Sequence, residues 1–434
     1  MERLFRSLPL ILREKALARV LQNWGALTLL QALNYILPLV SLPFLLRVLG
    51  LEAFGAVSFV RGVMLVLFLI VDYGFNYSAV RQLSTVRDDC LALNEILGAV
   101  SAARLAVTVV VSFAILFLCA IIPKLSHNTE GFVLSLGSVL GYALAQNWFF
   151  QAIEKMGHLT AVNGAGRLLF LALIVLYVRS PADQNLVIGL EAISYLSAGF
   201  FSLYLLRREL AEIPKVPRPH AVLMALKEGW HYFLTTAAIS SYTALITPVL
   251  GLLTGNVTVA VYVAAERPVR AVTALIGPLI QALYPYMSRL GSQQPQKIFA
   301  ANRRIFLISF VGMGFVSAAI YGLSGPVVRV LYRTPSIDII RVMQILAPLP
   351  LLISCGSVAL TLGVLVLGNR RGWSRTIYAA AIVGLCSLFI LVRLCGLAAE
   401  GAALSGLLAE GVVTIAGVML LRSMRSSSTT PVIP

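Results

Sequence analysis

The chain has 434 residues, of which 59% are hydrophobic and only 12% are charged, and its mean hydropathy is +0.89. This composition excludes a soluble globular protein and predicts an all-α polytopic membrane protein with little room for a soluble domain. In a soluble protein the net charge of +16 would suggest nucleic acid, but here the distribution of Lys and Arg around membrane spans explains it first. We therefore expect no nucleic-acid partner.

The chain begins with a basic and apolar segment, residues 1–23, whose apolar core is too short for a signal peptide. We predict an amphipathic helix on the cytoplasmic membrane surface there. About 20 apolar residues cross a bilayer, and twelve such stretches follow. The predicted spans are 24–46, 54–75, 97–122, 130–153, 158–178, 184–206, 229–253, 257–283, 305–328, 342–367, 376–392 and 402–421.

The most basic long interruption, residues 207–228, follows six spans and precedes six more. It predicts a cytoplasmic linker between an N-lobe, residues 24–206, and a C-lobe, residues 229–421, with a cytoplasmic tail at 422–434. With both termini cytoplasmic, 22 Lys and Arg lie on the cytoplasmic side and 7 on the other. This asymmetry obeys the positive-inside rule.

Five arginines fall inside predicted spans, where a charge at the bilayer centre costs about 2.5–3.5 kcal/mol on insertion scales. They are Arg61, Arg104, Arg167, Arg267 and Arg270. Guanidinium groups bind phosphate oxygens in bidentate fashion and stay charged, so these residues predict a cationic lumen for an anionic substrate. The alternative is structural, because Glu266 and Arg270 have the i, i+4 spacing that favours an ion pair on one helix.

Other polar and aromatic side chains in the spans add weaker signals. Asn147, Trp148 and Gln151 are candidates for contacts with sugars, although their aromatic cluster is equally typical of an interfacial belt. Four acidic residues are candidates for proton coupling, with pairing to a buried arginine as the plainer interpretation. They are Asp72, Glu191, Glu266 and Glu410.

The sequence gives no sign of catalytic machinery. It contains no GxxxxGK[ST] phosphate-binding loop, and its five cysteines show neither metal-ligand nor disulfide-framework spacing. We therefore expect no catalytic residues, no metal and no cofactor, and we expect that the protein is not an enzyme.

Three separated segments resemble one family. They are VDYGFNYSAVRQLSTVRDD at 71–89, NWFFQAIEKMG at 147–157 and AAERPVRAVTALIGPLIQALYPYMSRL at 264–290. These segments, together with the twelve spans, resemble the Wzx-type flippases, which transport polysaccharide repeat units in bacteria. The chain departs from the family pattern at Ala152, where glycine is expected.

The resemblance implies the fold of the multidrug/oligosaccharidyl-lipid/polysaccharide (MOP) exporters, with two helical lobes enclosing a central cavity. It implies a flippase that moves undecaprenyl-diphosphate-linked oligosaccharides to the outer leaflet of the bacterial inner membrane by alternating access, for O-antigen, capsule or exopolysaccharide synthesis. Its expected partners are this lipid-linked substrate, membrane lipid, a polysaccharide polymerase and a chain-length regulator. The family places cationic lumen residues against the diphosphate or acidic sugars, and Arg61, Arg267 and Arg270 are the candidates for this role here. The alternative is a cation-coupled multidrug exporter of the same fold.

Overall fold

A computed structural model describes residues 10–86, 89–210, 217–333 and 336–429, and every regular element in them is a helix. The α-helices in chain order are α1 (Leu10–Asp72), α2 (Phe75–Thr85), α3 (Cys90–Ile121), α4 (Pro123–Ser126), α5 (Thr129–Leu144), α6 (Asn147–Ala152), α7 (Met156–Tyr177), α8 (Gln184–Glu209), α9 (Pro219–Ala244), α10 (Ile246–Leu253), α11 (Asn256–Thr273), α12 (Ile276–Gln293), α13 (Pro295–Tyr332), α14 (Ile337–Leu346), α15 (Leu349–Ala359), α16 (Arg370–Phe389) and α17 (Ala398–Thr429). A 3₁₀ turn, Pro181–Asp183, precedes α8, and π-helical segments, Leu360–Leu365 and Ile390–Leu394, follow α15 and α16.

Eight helical stretches of the described chain are long and apolar enough to cross a membrane, and the first, Thr28–Thr85, contains two predicted spans. The prediction of an all-α polytopic membrane protein is thereby confirmed. Four predicted spans, 130–153, 229–253, 257–283 and 342–367, fall on interrupted helices. Two interruptions have a plain cause, because Pro248 and Pro278 have no N–H for the carbonyls of Ala244 and Ala274.

Helix α1 is divided at Gly50, whose φ of 72° and ψ of 176° lie outside the helical region. A positive φ strains a residue with a Cβ but not glycine. Gly50 therefore provides the turn between the first two predicted spans.

The predicted boundary segments are only partly described. Residues 1–9 of the amphipathic segment and 430–434 of the tail lie outside the described residues, while 10–23 begin α1. Residues 211–216 of the linker also lie outside them. Helix α8 runs to Glu209 and α9 starts at Pro219, so the predicted linker 207–228 is helical at both ends.

The chain forms two compact units, each with its own interior. Unit 1 comprises Met1–Pro38, Met64–Val178 and Asn185–Thr236, and unit 2 comprises Leu39–Val63, Arg179–Gln184 and Ala237–Pro434. These units assign residues 39–63 to the same body as most of the C-terminal half. The predicted lobes, 24–206 and 229–421, stay a prediction.

Unit 1 has an apolar core and a close contact between two of its helices. Trp148, Phe149 and Phe150 lie in the core. Helices α5 and α8 approach at Gly141 and Gly199, where a Cβ at Gly199 would lie 2.7 Å from the carbonyl oxygen of Gly141. Small residues of this kind let helix backbones approach closely in membranes.

Unit 2 contains further buried clusters. One includes Leu360, Val364 and Ala380, and another includes Met287 and Ile298. These clusters join α12, α13 and α15–α17. Helix α11 of the same unit carries three of the predicted site residues.

Candidate functional site

Helix α11 of unit 2 carries Glu266, Arg267 and Arg270. Glu266 is buried, with 8% exposure, and its Oε1 accepts a hydrogen bond from Nε of Arg270 at 3.0 Å. The hydroxyl of Tyr262 donates to the same oxygen at 3.3 Å. The i, i+4 ion pair predicted from sequence is therefore confirmed, and the tyrosine one turn earlier completes it.

Arg267 differs from Arg270 in exposure and in partners. Its side chain is exposed, and it makes no hydrogen bond or ion pair with another residue in the described ranges. Its charge acts on the hydroxyls of Tyr262 and Tyr332. Arg267 therefore keeps its five donors available for an anionic ligand.

Glu410, on α17, is buried and interacts electrostatically with Arg270. Glu266, in addition, accepts a hydrogen bond from Arg270. Arg270 therefore has a bonded carboxylate partner within unit 2, whereas Arg267 has none among the described residues. The two acidic residues keep their predicted role in proton coupling as an open hypothesis.

Arg61 also belongs to unit 2 and is half-buried on α1. Its neighbour Gly62 lies against Thr247 and Pro248, where a Cβ would approach the methyl carbon of Thr247 to 3.0 Å. The three candidates for a cationic lumen, Arg61, Arg267 and Arg270, thus belong to the same compact unit.

Arg104 of unit 1 is almost completely buried, with 3% exposure, and binds the end of α5. Its Nη1 donates to the carbonyl of Ala145 at 2.8 Å and its Nη2 to that of Tyr142 at 2.9 Å. The last carbonyls of a helix have no partner within the helix, and Arg104 supplies donors for two of them. These contacts give Arg104 a structural role in this conformation.

Asp72 belongs to the same unit as Arg104 and interacts with it electrostatically. Its Oδ1 accepts a hydrogen bond from Nδ2 of Asn76 at 2.7 Å. Pairing with a buried arginine, the plainer interpretation from sequence, stays a prediction. A role in proton coupling stays a prediction.

Two further predicted residues belong to unit 1. Arg167 on α7 and Glu191 on α8 are half-buried. The structure places neither in the cluster of Arg104 and Asp72. Their roles in substrate binding and coupling stay predictions.

The aromatic cluster lies in the interior of unit 1. Trp148 is 1% exposed, and its Nε1 donates to Oε1 of Gln146 at 2.9 Å. Asn147 is half-buried and exchanges hydrogen bonds with Asn163, whereas Gln151 is exposed. In this conformation the Trp148 ring faces protein, so the predicted sugar contacts remain untested.

Sequence reasoning missed the tyrosines of unit 2. Tyr262 was detectable, because it precedes Glu266 by one helical turn. Tyr332, whose hydroxyl donates to the carbonyl of Ala264 at 2.8 Å, is 68 residues away, and nothing in the local sequence indicates the contact. Within the ranges that the structure describes, no group of three His, Cys, Asp or Glu residues could hold a metal ion.

The chain matches a family model over more than half its length. Residues 20–291 fit the model described as "Polysaccharide biosynthesis protein". A relative from Escherichia coli (strain K12), named "Putative O-antigen transporter", is 28% identical over 400 residues, which cover 92% of this chain and 95% of the relative. A Shigella dysenteriae relative of the same name is 27% identical, covering 91% and 98% of the two chains.

Solved structures show the same fold at low sequence identity. An inward-facing multidrug resistance MATE family transporter of the MOP superfamily aligns with a TM-score of 0.76 and 15% identity, covering 91% of this chain and 96% of that one. The lipid II flippase MurJ aligns with a TM-score of 0.72 and 12% identity, covering 95% and 88%. The predicted fold and family resemblance are thereby confirmed: the chain belongs to the polysaccharide biosynthesis protein family and has the all-α membrane fold shared by these transporters.

Proposed function

We propose that this protein flips lipid-linked oligosaccharide repeat units from the cytoplasmic to the outer leaflet of the bacterial inner membrane. The observation that carries the proposal is the similarity, over more than nine-tenths of both chains, to two relatives named as O-antigen transporters. The family match supports the same substrate class. The protein then acts as a transporter that works by alternating access, and not as an enzyme.

The proposed substrate is undecaprenyl diphosphate carrying a short oligosaccharide. Its lipid tail stays in the hydrocarbon region, whereas its diphosphate needs compensating charge and hydrogen bonds along the path. Arg267 meets this requirement best, because it is exposed and free of protein partners among the described residues. Guanidinium nitrogens bind phosphate oxygens in a bidentate arrangement that an ammonium group does not reproduce.

Arg270 and Arg61 take supporting roles in this proposal. Arg270 is already bonded to Glu266, so an anion that reaches it must compete with an internal carboxylate. Arg61 adds charge from α1 of the same unit. We place both termini in the cytoplasm on the strength of the positive-inside asymmetry, with a polymerase and a chain-length regulator as proposed partners.

Depleting the protein from its host tests this function. We expect single lipid-linked repeat units to accumulate on the cytoplasmic leaflet and the intact gene to reverse the accumulation. A control strain carries a variant with Arg329→Ala, an exposed arginine of unit 2 outside the proposed path. An unchanged pool of lipid-linked repeat units with normal surface polysaccharide in the depleted strain would contradict the proposal. Increased drug sensitivity of the depleted strain would identify a multidrug exporter of the same fold.

A further inference from the structure

A proline in α11 leaves a backbone carbonyl without its usual helical donor. In an α-helix the N–H of residue i donates to the carbonyl of residue i−4. Pro268 lies inside α11 and has no N–H, so it cannot donate to the carbonyl of Ala264. Water is scarce in the hydrocarbon region, so such a carbonyl needs a donor from elsewhere in the protein.

Tyr332 supplies that donor. Its hydroxyl donates to the Ala264 carbonyl oxygen at 2.8 Å, and its side chain is 1% exposed. Tyr332 is the last residue of α13, and Nη2 of Arg47 donates to the Val330 carbonyl at 2.7 Å near the same helix end. The hydroxyl therefore comes from a helix terminus that is itself held in place.

The contact lies next to the proposed site. Ala264 precedes Arg267 by three residues, and the charge of Arg267 acts on the Tyr332 hydroxyl. The direction of the backbone at Ala264 determines where the next turn of α11 projects its side chains. A helix loosened at Pro268 would leave that direction variable unless a second contact held it.

From this geometry we infer that Tyr332 is a positioning residue, whose hydroxyl replaces the amide that Pro268 lacks and so sets the direction in which α11 presents Arg267. The inference rests on the proposed function for its effect on transport. The replacement of the missing amide donor by the Tyr332 hydroxyl is independent of that function. The hydrogen bond and its effect on transport can therefore be measured separately.

A double-mutant cycle of Tyr332→Phe and Pro268→Ala tests the inference on the full-length protein. Tyr332→Phe removes only the hydroxyl, and Pro268→Ala restores a backbone N–H for the Ala264 carbonyl. We expect Tyr332→Phe alone to lower the midpoint of thermal unfolding in detergent by about 2 °C. In the Pro268→Ala background the same change should lower it by less than half as much.

Transport kinetics provide the readout of positioning. With purified protein in vesicles and undecaprenyl diphosphate oligosaccharide as the probe, Tyr332→Phe should raise the substrate concentration for half-maximal rate about fivefold, with little change in the maximal rate. Pro268→Ala should abolish most of this shift. A merely structural hydrogen bond would change the amount of active protein and leave the half-maximal concentration unaltered.

Matched controls lie in the same region of the chain. Tyr321→Phe removes the hydroxyl of an exposed tyrosine on α13 and should change neither quantity. Pro285→Ala removes a proline inside α12 and should not relieve the effect of Tyr332→Phe. If Pro268→Ala is not recovered folded, Pro268→Ser restores the same N–H.

Equal effects of Tyr332→Phe on unfolding in both backgrounds would overturn the inference. An unchanged half-maximal concentration in a transporting protein would overturn the positioning role. If the unmodified protein moves no lipid while the unfolding data show the expected coupling, the proposed function fails and the donor exchange stands.

Discussion

Glu266 and Arg270 form an internal ion pair one helical turn apart on α11, with Nε of Arg270 donating to Oε1 of Glu266 at 3.0 Å. The side chains are 11% and 30% exposed, so solvent screens the pair only in part. Glutamate on the N-terminal side of arginine is the favourable order for such a pair. A carboxylate of the protein thus occupies Arg270 and leaves Arg267 as the available cation on this helix.

Replacing Glu266 tests this division between the two arginines. Glu266→Gln keeps the size of the side chain and removes the charge that Arg270 contacts. We expect the free energy of unfolding to fall by about 1–3 kcal/mol, because the hydrogen bond from Arg270 loses its charged acceptor inside the protein. Denaturation of the purified protein in detergent measures the change.

The exchanged pair, Glu266→Arg with Arg270→Glu, is the control. It restores opposite charges in the less favourable order, so it should recover part of the lost stability. No recovery would mean that the pair itself does not account for the loss.

Arg267 should matter for transport and hardly at all for folding. We expect Arg267→Ala to reduce transport about tenfold or more, because the diphosphate loses a charge-assisted contact. The transport rate of Arg267→Lys should lie between those of the unmodified protein and Arg267→Ala, since lysine keeps the charge but lacks the bidentate guanidinium group. Transport in vesicles, normalised to folded protein, measures both, with Arg329→Ala as the neutral comparison. Normal transport by Arg267→Ala would exclude this residue from the path.

The contrast between Arg270 and Arg104 shows which contacts can be predicted from the sequence. Spacing within one helix predicts the Glu266–Arg270 pair correctly, because four residues bring side chains to the same face. The same reasoning placed Arg104 among the lumen residues, since a charge inside an apolar span is all that the sequence shows. Its actual contacts are carbonyls of Tyr142 and Ala145, about 40 residues away, and tertiary packing alone determines them.

Arg104 should therefore be needed for folding. Arg104→Ala leaves two helix-end carbonyls without a donor and removes the positive charge that acts on Asp72. We expect the free energy of unfolding to fall by about 3 kcal/mol or more. Arg104→Lys keeps the charge but cannot reach both carbonyls with a rigid fork, and should recover part of the stability. The yield of folded protein and its unfolding midpoint measure this. A fully stable Arg104→Ala protein with lost transport would instead indicate a substrate contact.

The approach of α5 to α8 depends on the absence of a side chain at Gly141. A Cβ there would overlap backbone atoms of Tyr195 and Leu196, so Gly141→Ala should cost about 1–3 kcal/mol of stability. Gly189→Ala on the facing helix α8 is the matched control, because a Cβ at Gly189 would lie 4.0 Å from its nearest neighbour, a methyl carbon of Leu134. Equal stability of the two variants would contradict the close contact.

The fold class followed from composition. A chain this apolar belongs in a membrane, and helices satisfy their backbone hydrogen bonds there without water. Helix interruptions did not follow in the same way. The spans 229–253 and 257–283 were predicted as continuous, and their breaks coincide with Pro248 and Pro278, whereas Pro268 and Pro285 lie inside unbroken helices. The break at Ala145 and Gln146 has no proline. There the Gln146 N–H donates to the hydroxyl of Ser202, and the Ala145 carbonyl accepts from Arg104, so distant side chains bond both groups. The burial of Trp148 is likewise a property of packing, since an aromatic residue near a span end is compatible with either a core or an interface.

The proposed flippase activity can be measured as movement of the lipid-linked substrate between leaflets. Purified protein is reconstituted in unilamellar vesicles that carry undecaprenyl diphosphate oligosaccharide, and the fraction of glycan accessible from outside is followed over time. We expect the protein to accelerate transfer between leaflets relative to protein-free vesicles, and Arg267→Ala to remove most of the acceleration. Transfer at the protein-free rate, with folded protein in the membrane, would contradict the proposed flippase activity.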